Sequence, residues 1–291
     1  MVLAPSSQKT AIQRRGMLSL LLTTLIFGTS FPILKDTIGS LSPPVLITVR
    51  YAIAAIAVLP WLKGLNLRLV RDGALLGSIL FAETNFALTG MATISANRAA
   101  FIIGLNVILV PVLGVLLGRQ IPRQVLLAAG LAVIGVSAMS WDGSGIGIGD
   151  VFTFVSAVGI ATYVILLEAI APRHPSLSLA AVQIWTMLAL GTAWALPNLT
   201  DQWSMVGDHL PALIYLGIVV TIGPLWGQAI GQRSVPAHEA ALIYTLEPVF
   251  ATLFSFWLLG EKLGLNGAIG AACILTATVI SQYQRRRRVD S

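Results

Sequence analysis

Ala96-Asn97-Arg98-Ala99-Ala100-Phe101-Ile102 returns later in the chain as Ala237-His238-Glu239-Ala240-Ala241-Leu242-Ile243. The register continues through Leu105-Asn106 against Leu246-Glu247. With a one-residue shift, Leu116-Leu117-Gly118-Arg119 then meets Leu258-Leu259-Gly260-Glu261. A weaker match sets Thr29-Ser30-Phe31-Pro32-Ile33-Leu34-Lys35-Asp36 beside Ala161-Thr162-Tyr163-Val164-Ile165-Leu166-Leu167-Glu168. The chain therefore reads as one unit written twice.

Outward from these stretches the sequence is a series of apolar runs about 20 residues long, the length that crosses a bilayer as a helix. Ten such runs lie near 17–36, 43–62, 73–93, 97–118, 124–141, 149–170, 178–197, 210–232, 237–259 and 265–283. They divide into a first five-helix repeat over 17–141 and a second over 149–284, with a tail over 1–16 and a basic tail over 285–291. Five is odd, so the second repeat crosses in the opposite sense. The expected fold is an all-α integral membrane protein of ten helices, two inverted repeats around a central cavity. Inverted repeats of this kind build alternating-access carriers, with the substrate near the midplane between them.

The basic residues test the count of spans, because cytoplasmic loops collect Lys and Arg. With the N-terminus inside, fourteen of the 18 fall in inside segments, ending with the run Arg285 to Arg288. Only Lys35, Arg98 and Lys262 fall outside, and Arg50 lies within a span. A span lost or gained in the middle would scramble this separation. Both termini are thus expected in the cytoplasm, with the protein in a bacterial inner (plasma) membrane. Lys9, Arg14 and Arg15 before the apolar stretch from Met17 look like a signal peptide, but no A-x-A-like site follows, so the stretch reads as a retained first span.

Composition agrees. Of 291 residues 56% are hydrophobic and only 10% charged, where a soluble domain carries about 25% charged residues. The net charge of +6 comes from residues scattered between spans, so it marks topology and anionic lipid, and no nucleic-acid partner is expected. The single cysteine, Cys273, makes neither an internal disulfide nor a metal cluster. Ala128/Ala132 and Gly267/Ala271 on spans five and ten permit close packing or a homodimer, though a monomer suffices for the fold.

Phe27-Gly28-Thr29-Ser30-Phe31 through Lys35, Arg50-Tyr51, the run from Ala96 to Val110-Pro111, and the run Ala240-Ala241 through Leu246-Glu247-Pro248-Val249-Phe250 to Leu259-Gly260-Glu261-Lys262-Leu263 carry a family likeness. Over roughly residues 17–284 the chain resembles the EamA family of the drug/metabolite transporter superfamily, and within it is most similar to YddG-type amino-acid exporters. The resemblance implies ten helices, a cavity lined largely by spans one, three, four, six, eight and nine, and spans five and ten at the periphery. One departure is Gly118-Arg119-Gln120, where the second half has Gly260-Glu261-Lys262: the acidic partner is missing from the first.

Ionisable groups inside a bilayer are costly and face a cavity or a partner. For Arg50, seven residues into span two, two readings stand: contact with an anionic substrate, or an arginine bound to carbonyls that fixes helix packing, the second being preferred. Glu83, in mid-span three before Thr84, Asn85 and Phe86, suits binding of an ammonium group or a proton, or a hydrogen bond to a neighbouring helix. Glu247, the repeat-mate of Asn106, precedes Pro248; a proline there breaks the ladder and offers carbonyls, so gating, packing and substrate contact all remain open. Lys35, Asp36 and Glu168 read as solvated residues at span ends.

An aromatic and amide set completes the candidate cavity: Phe31, Tyr163, Trp185, Trp226, Gln228 and Tyr244, with Asn85 aligned to Trp226 and Phe31 to Tyr163. Apolar walls with a few convergent polar groups suit a small amphiphilic solute. Trp61, Trp141 and Trp203 fit the lipid interface instead. Gly28, Pro32, Pro111 and Pro248, together with Arg50, are assigned structural or gating roles.

No catalytic set converges. The glycines of Gly143–Gly149 do not fit G-x-G-x-x-G, there is no Walker lysine motif, no H-E-x-x-H and no G-x-S-x-G, and His174, His209 and His238 sit at span ends. No cofactor, metal or enzymatic activity is expected. The expected function is a secondary transporter that exports amino acids, aromatic or otherwise neutral ones included, or related metabolites. The alternative is efflux of lipophilic cationic drugs on an intramembrane glutamate, which would have to be Glu83 since span one holds no acid before Asp36. A membrane enzyme or scaffold is the third and weakest reading.

Overall fold

The computed structural model describes residues 6–38, 40–94, 99, 102–140, 147–196, 202–247, 249–251, 253–254 and 265–289. All regular structure among them is helical: α1 Ser6–Ile38, α2 Pro43–Val58, α3 Leu67–Met91, α4 Asn106–Leu116, α5 Arg123–Ser140, α6 Ile148–Ile170, α7 Ser176–Ala195, the short α8 Trp203–Asp208, α9 Leu210–Gly231, α10 Ala237–Tyr244 and α11 Leu265–Val289. The stretches Pro43–Leu62, Leu67–Met91, Ile148–Arg173, Ser176–Ala195 and Leu210–Gly231 are long and apolar enough to cross a membrane.

Local chemistry sets the helix ends. The Asn66 side chain accepts from the Leu69 N–H at 2.8 Å and caps α3. Asp150 accepts from the Gly147 N–H at 2.6 Å and closes the start of α6. After α4, Gly118 takes φ +79° while the Arg119 N–H reaches back to the Gly114 carbonyl, a turn that a side chain at Gly118 would strain. α1 runs further than the expected 17–36 at both ends, absorbing part of the tail assigned to 1–16. The run expected at 97–118 is interrupted: 102–104 is helical, Leu105 is a turn, and α4 begins at Asn106. Span nine breaks at the matching place, where α10 stops at Tyr244 and Thr245–Leu246 turn before Glu247. Pro248 itself, Ala96 to Arg98, and Gly260 to Leu263 lie outside the described residues.

Without water to drive apolar faces together, helices in a bilayer associate through small residues that let backbones touch. α3 packs on α6 and α7, α9 on α1, α2 on α7, α4 on α6 and α10, α10 on α1, and α5 on α11. One contact occurs twice. A Cβ on Gly90 of α3 would meet the Thr153 hydroxyl and stand 2.8 Å from the Gly149 carbonyl oxygen. A Cβ on Gly231 of α9 would meet Leu20 and stand 3.0 Å from the Gly16 carbonyl oxygen. In return Gly149 abuts Thr93, Ile94 and the Gly90 carbonyl, while Gly16 abuts Ser234, Val235 and the Gly231 carbonyl. Every partner on α6 stands 133 positions after its equivalent on α1, and every partner on α9 and its following turn 141 after its equivalent on α3 and its turn. This register places Tyr163 opposite Ser30, which corrects the sequence alignment of Phe31 with Tyr163 by one residue.

The turns are tied in two groups. Asp72 meets the His174 Nε2 at 2.8 Å, Arg119 pairs with Glu168, and Arg233 reaches the Ser176 hydroxyl at 3.5 Å. At the other group the Ser42 N–H donates to the Gln202 side chain at 2.9 Å, and Thr93 packs on Gly149. α5 and α11 stand together, with Gly135 against Gly270, Cys273 and Ile274. Ala128 and Ala132 are buried within this single chain, so the small-residue stripe is used internally.

The glycine contacts make a direct prediction. Gly90→Ala and Gly231→Ala should each destabilise the protein by about 1–3 kcal/mol through overpacking, lowering its unfolding midpoint in detergent. Gly130→Ala, where a Cβ meets nothing within 4 Å, should leave the midpoint unchanged or raise it.

Candidate functional site

The polar residues of the interior fall into those that spend their hydrogen bonds on the fold and those that do not. Glu83 is the anchor on α3. Its Oε1 accepts from Thr84 Oγ1 at 2.9 Å, and its Oε2 from Ser156 Oγ of α6 at 3.2 Å. The glycine at 159 lets α6 come close enough for this: a Cβ there would lie 2.7 Å from the Glu83 Cβ. Phe86, one turn on, sets its ring 6.0 Å from that of Phe152. Tyr163 is buried in the main core and its hydroxyl donates to Gln183 Oε1 at 2.9 Å, while the Gln183 amide donates to the Leu179 carbonyl at 3.3 Å.

Arg50 bridges α2 and α9. Its Nε donates to Thr221 Oγ1 at 2.7 Å and its Nη2 to the Val220 carbonyl at 3.2 Å. The Thr221 hydroxyl in turn donates to the Leu216 carbonyl at 2.8 Å. The Cζ of Arg50 stands 5.6 Å from the Tyr51 ring centre.

A second set is buried with oxygens that form no hydrogen bond among the described residues: Asn85 Oδ1, Asn106 Oδ1, Gln228 Oε1 and the Tyr244 hydroxyl, alongside Ser42 Oγ and Gln232 Oε1. The geometry of the amides is fixed by their other ends, since Asn85 donates to the Phe81 carbonyl at 2.8 Å and Asn106 to the Ile103 carbonyl at 2.9 Å. Gln228 of α9 and Tyr244 of α10 stand close enough for their side chains to interact. Glu247, one turn past Tyr244, is within electrostatic reach of Tyr244 and of Glu83, and Glu83 is within reach of Arg50. Buried polar atoms without partners are rare and costly in native proteins and point to an absent ligand or water.

The structure thus brings together Arg50, Glu83, Tyr244, Gln228 and Glu247, with Asn85 two residues beyond Glu83 and Asn106 at the break into α4, which packs on α10. Trp185 and Trp226 are exposed by 36% and 44%. Gly28 abuts Phe250 and Ala251, a close backbone approach of α1 to the segment after α10. Pro111 is buried inside α4. Phe31 and Pro32 are described as helical backbone only. Sequence reasoning missed Thr221, Ser156 and Gln183. Among the described residues no cluster of metal-ligating side chains is present.

A model of the EamA-like transporter family matches the chain twice, over residues 14–141 and 147–282. Two proteins of Archaeoglobus fulgidus, each named an uncharacterized transporter, are similar to it. One is 29% identical over 264 residues, covering 90% of this chain and 84% of the relative. The other is 28% identical over 272 residues, covering 92% and 96%. A solved crystal structure superposes with a TM-score of 0.74 at 19% identity, covering 97% of this chain and 98% of that one. That likeness concerns the fold alone.

The two sets of polar residues should respond differently to removal. Tyr163→Phe strands the buried Gln183 oxygen and should cost about 1–3 kcal/mol. Gln228→Met removes an oxygen that has only the Tyr244 hydroxyl beside it among the described residues, so the unfolding midpoint in detergent should hold or fall less. A midpoint that falls as far for Gln228→Met as for Tyr163→Phe would assign Gln228 to the fold instead.

Proposed function

Since the chain belongs to the EamA-like transporter family, we propose that it is a secondary carrier that exports neutral amino acids or related small metabolites by alternating access. Ten spans in two inverted five-helix repeats, with both ends in the cytoplasm of a cell whose plasma membrane holds the protein, form the architecture of this reading. Support comes from the family model matching twice and from the glycine contact made once by α3 with α6 and again by α9 with α1. The ties between turns add to it, because each joins segments that the basic-residue asymmetry puts on the same side.

The unpartnered acceptors carry the substrate class. Oxygens of Asn85, Asn106 and Gln228, with the Tyr244 hydroxyl, have acceptor capacity that no hydrogen bond among the described residues fills, and Glu83 and Glu247 stand within electrostatic reach of one another there. An ammonium group supplies three donors. Arg50 is the only cation within reach of this set among the described residues, too little positive charge for a phosphorylated solute. A zwitterion brings donors and a carboxylate with no net charge. Both oxygens of Glu83 accept hydrogen bonds from the protein, which favours this reading over efflux of lipophilic cations on an open carboxylate.

Purified protein in liposomes should take up a labelled neutral amino acid such as phenylalanine or leucine saturably, with competition by the unlabelled compound. Gln228→Met should slow that flux at least tenfold at subsaturating substrate. Absence of competable flux for every common amino acid would overturn the assignment.

A further inference from the structure

The two copies of the glycine contact are not spaced alike. On α3, Gly77 sits against the Gln183 carbonyl and Thr186 of α7, and Gly90 follows 13 residues later. On α9, Gly217 sits against the Arg50 carbonyl and Ile53 of α2, and Gly231 follows 14 residues later. The partners Gln183 and Thr186 stand 133 positions after Arg50 and Ile53, the offset already found for α6 and α1. The contacts are equivalent, so α9 holds one extra residue. It is taken up at once after Gly217, where Ile218–Ile222 form a π-turn. A π-turn is how a helix absorbs a single inserted residue, and such turns concentrate at functional sites.

Two further features make this turn polar. Pro224 has no N–H, so the Val220 carbonyl four residues earlier loses its helical donor. An orphaned carbonyl costs several kcal/mol in a bilayer unless a neighbour bonds it, and Arg50 Nη2 does so. Thr221 Oγ1 then accepts from the Arg50 Nε–H and donates its own O–H to the Leu216 carbonyl. The guanidinium is therefore fixed in position by two of its five N–H groups. Its Nη1 edge bonds no group among the described residues, and no carboxylate pairs with it: Glu83, within electrostatic reach, has both oxygens engaged by Thr84 and Ser156. The residue is half-buried, so part of its surface stays exposed. At the equivalent place in the second half, 133 positions on, stands Gln183, neutral and engaged by Tyr163 and the Leu179 carbonyl.

We propose that Arg50, held by the inserted π-turn, is the specificity-determining residue that binds the carboxylate of the substrate through its free Nη1 edge. The inference rests on the amino-acid reading above and gives it a direction: carboxylate on Arg50, ammonium toward the unpartnered acceptors. A planar guanidinium with a free edge is suited to a carboxylate.

Binding to full-length protein in nanodiscs tests this, with L-phenylalanine, phenethylamine and 3-phenylpropionate as probes. The same side chain recurs with both charges, with the amine alone and with the carboxylate alone. Wild-type protein should bind phenylalanine at least tenfold more tightly than phenethylamine, and Arg50→Gln should abolish that preference while amine binding persists. Because Arg50 also satisfies Val220, the decisive variant places Arg50→Gln in a Pro224→Ala background, where the restored N–H meets that carbonyl. Its unfolding midpoint should recover toward wild type while the carboxylate preference stays lost. Return of the preference together with stability would make Arg50 a structural residue only and overturn the proposal, as would wild-type protein that binds none of the carboxylates better than the amine. Arg50-dependent binding of 3-phenylpropionate without any binding of phenylalanine would uphold the carboxylate site and refute the amino-acid reading.

Discussion

Inside a bilayer no water stands ready to satisfy a backbone group that a helix leaves unbonded. That constraint explains the most unusual segment of this protein. One extra residue and one proline fall within six positions of each other on α9, and together they free a carbonyl at Val220. The nearest adequate donor is a guanidinium, because only a group with several N–H vectors can meet both that carbonyl and the Thr221 hydroxyl from a neighbouring helix. Placing an arginine at that depth is itself costly. The cost is offset only while α2 and α9 stay in contact, which the close approach of Gly217 to the Arg50 carbonyl secures.

The same absence of water explains why glycine does so much of the packing. Where apolar side chains gain nothing by leaving lipid, association depends on how near two backbones can come. Gly16, Gly90, Gly149 and Gly231 bring α1 to α9 and α3 to α6 at a distance that any side chain would prevent. Between these tight ends lie Asn85 and Gln228, whose oxygens form no hydrogen bond among the described residues. Rigid helix pairs at both ends and unsatisfied acceptors between them are what a binding region requires: walls that hold their shape, and groups that a solute completes.

Much of this was legible in the sequence, and the parts that were not have a common cause. Apolar run lengths and basic-residue placement marked the helices, and the alignment at Ala99 and Ala240 paired Leu105 with Leu246, though the break at Leu105 itself was not foreseen. Asn85, Asn106, Gln228 and Tyr244 were identifiable because polar groups in spans are scarce. What periodicity could not reveal was which polar groups are already bonded. Tyr163 and Gln228 look alike as candidates, yet one donates to Gln183 and the other leaves an oxygen bare. Nor could hydropathy detect the π-turn, since an additional apolar residue leaves an apolar run apolar. Only the spacing between glycines that touch carbonyls exposes it, and that requires knowing the contacts. The one-residue error in setting Phe31 against Tyr163 has the same origin, because α1 and α6 share little beyond hydrophobicity there.

Two copies of one backbone unit would by themselves present a solute with two like walls. The side chains break that likeness. Where the second half has Pro224 and its π-turn, the first has Glu83 on an unbroken helix. Where the second half has Gln183 closed on Tyr163, the first has Arg50 with an edge to spare. At the two helix breaks the residues are Asn106 and Glu247, one neutral and one acidic. Charge is thus divided between positions that the backbone makes equivalent. A symmetric solute would gain nothing from the difference, whereas a dipolar one is oriented by it. The orientation depends on the insertion in α9, because without the freed carbonyl and Thr221 the guanidinium would have no fixed place from which to act.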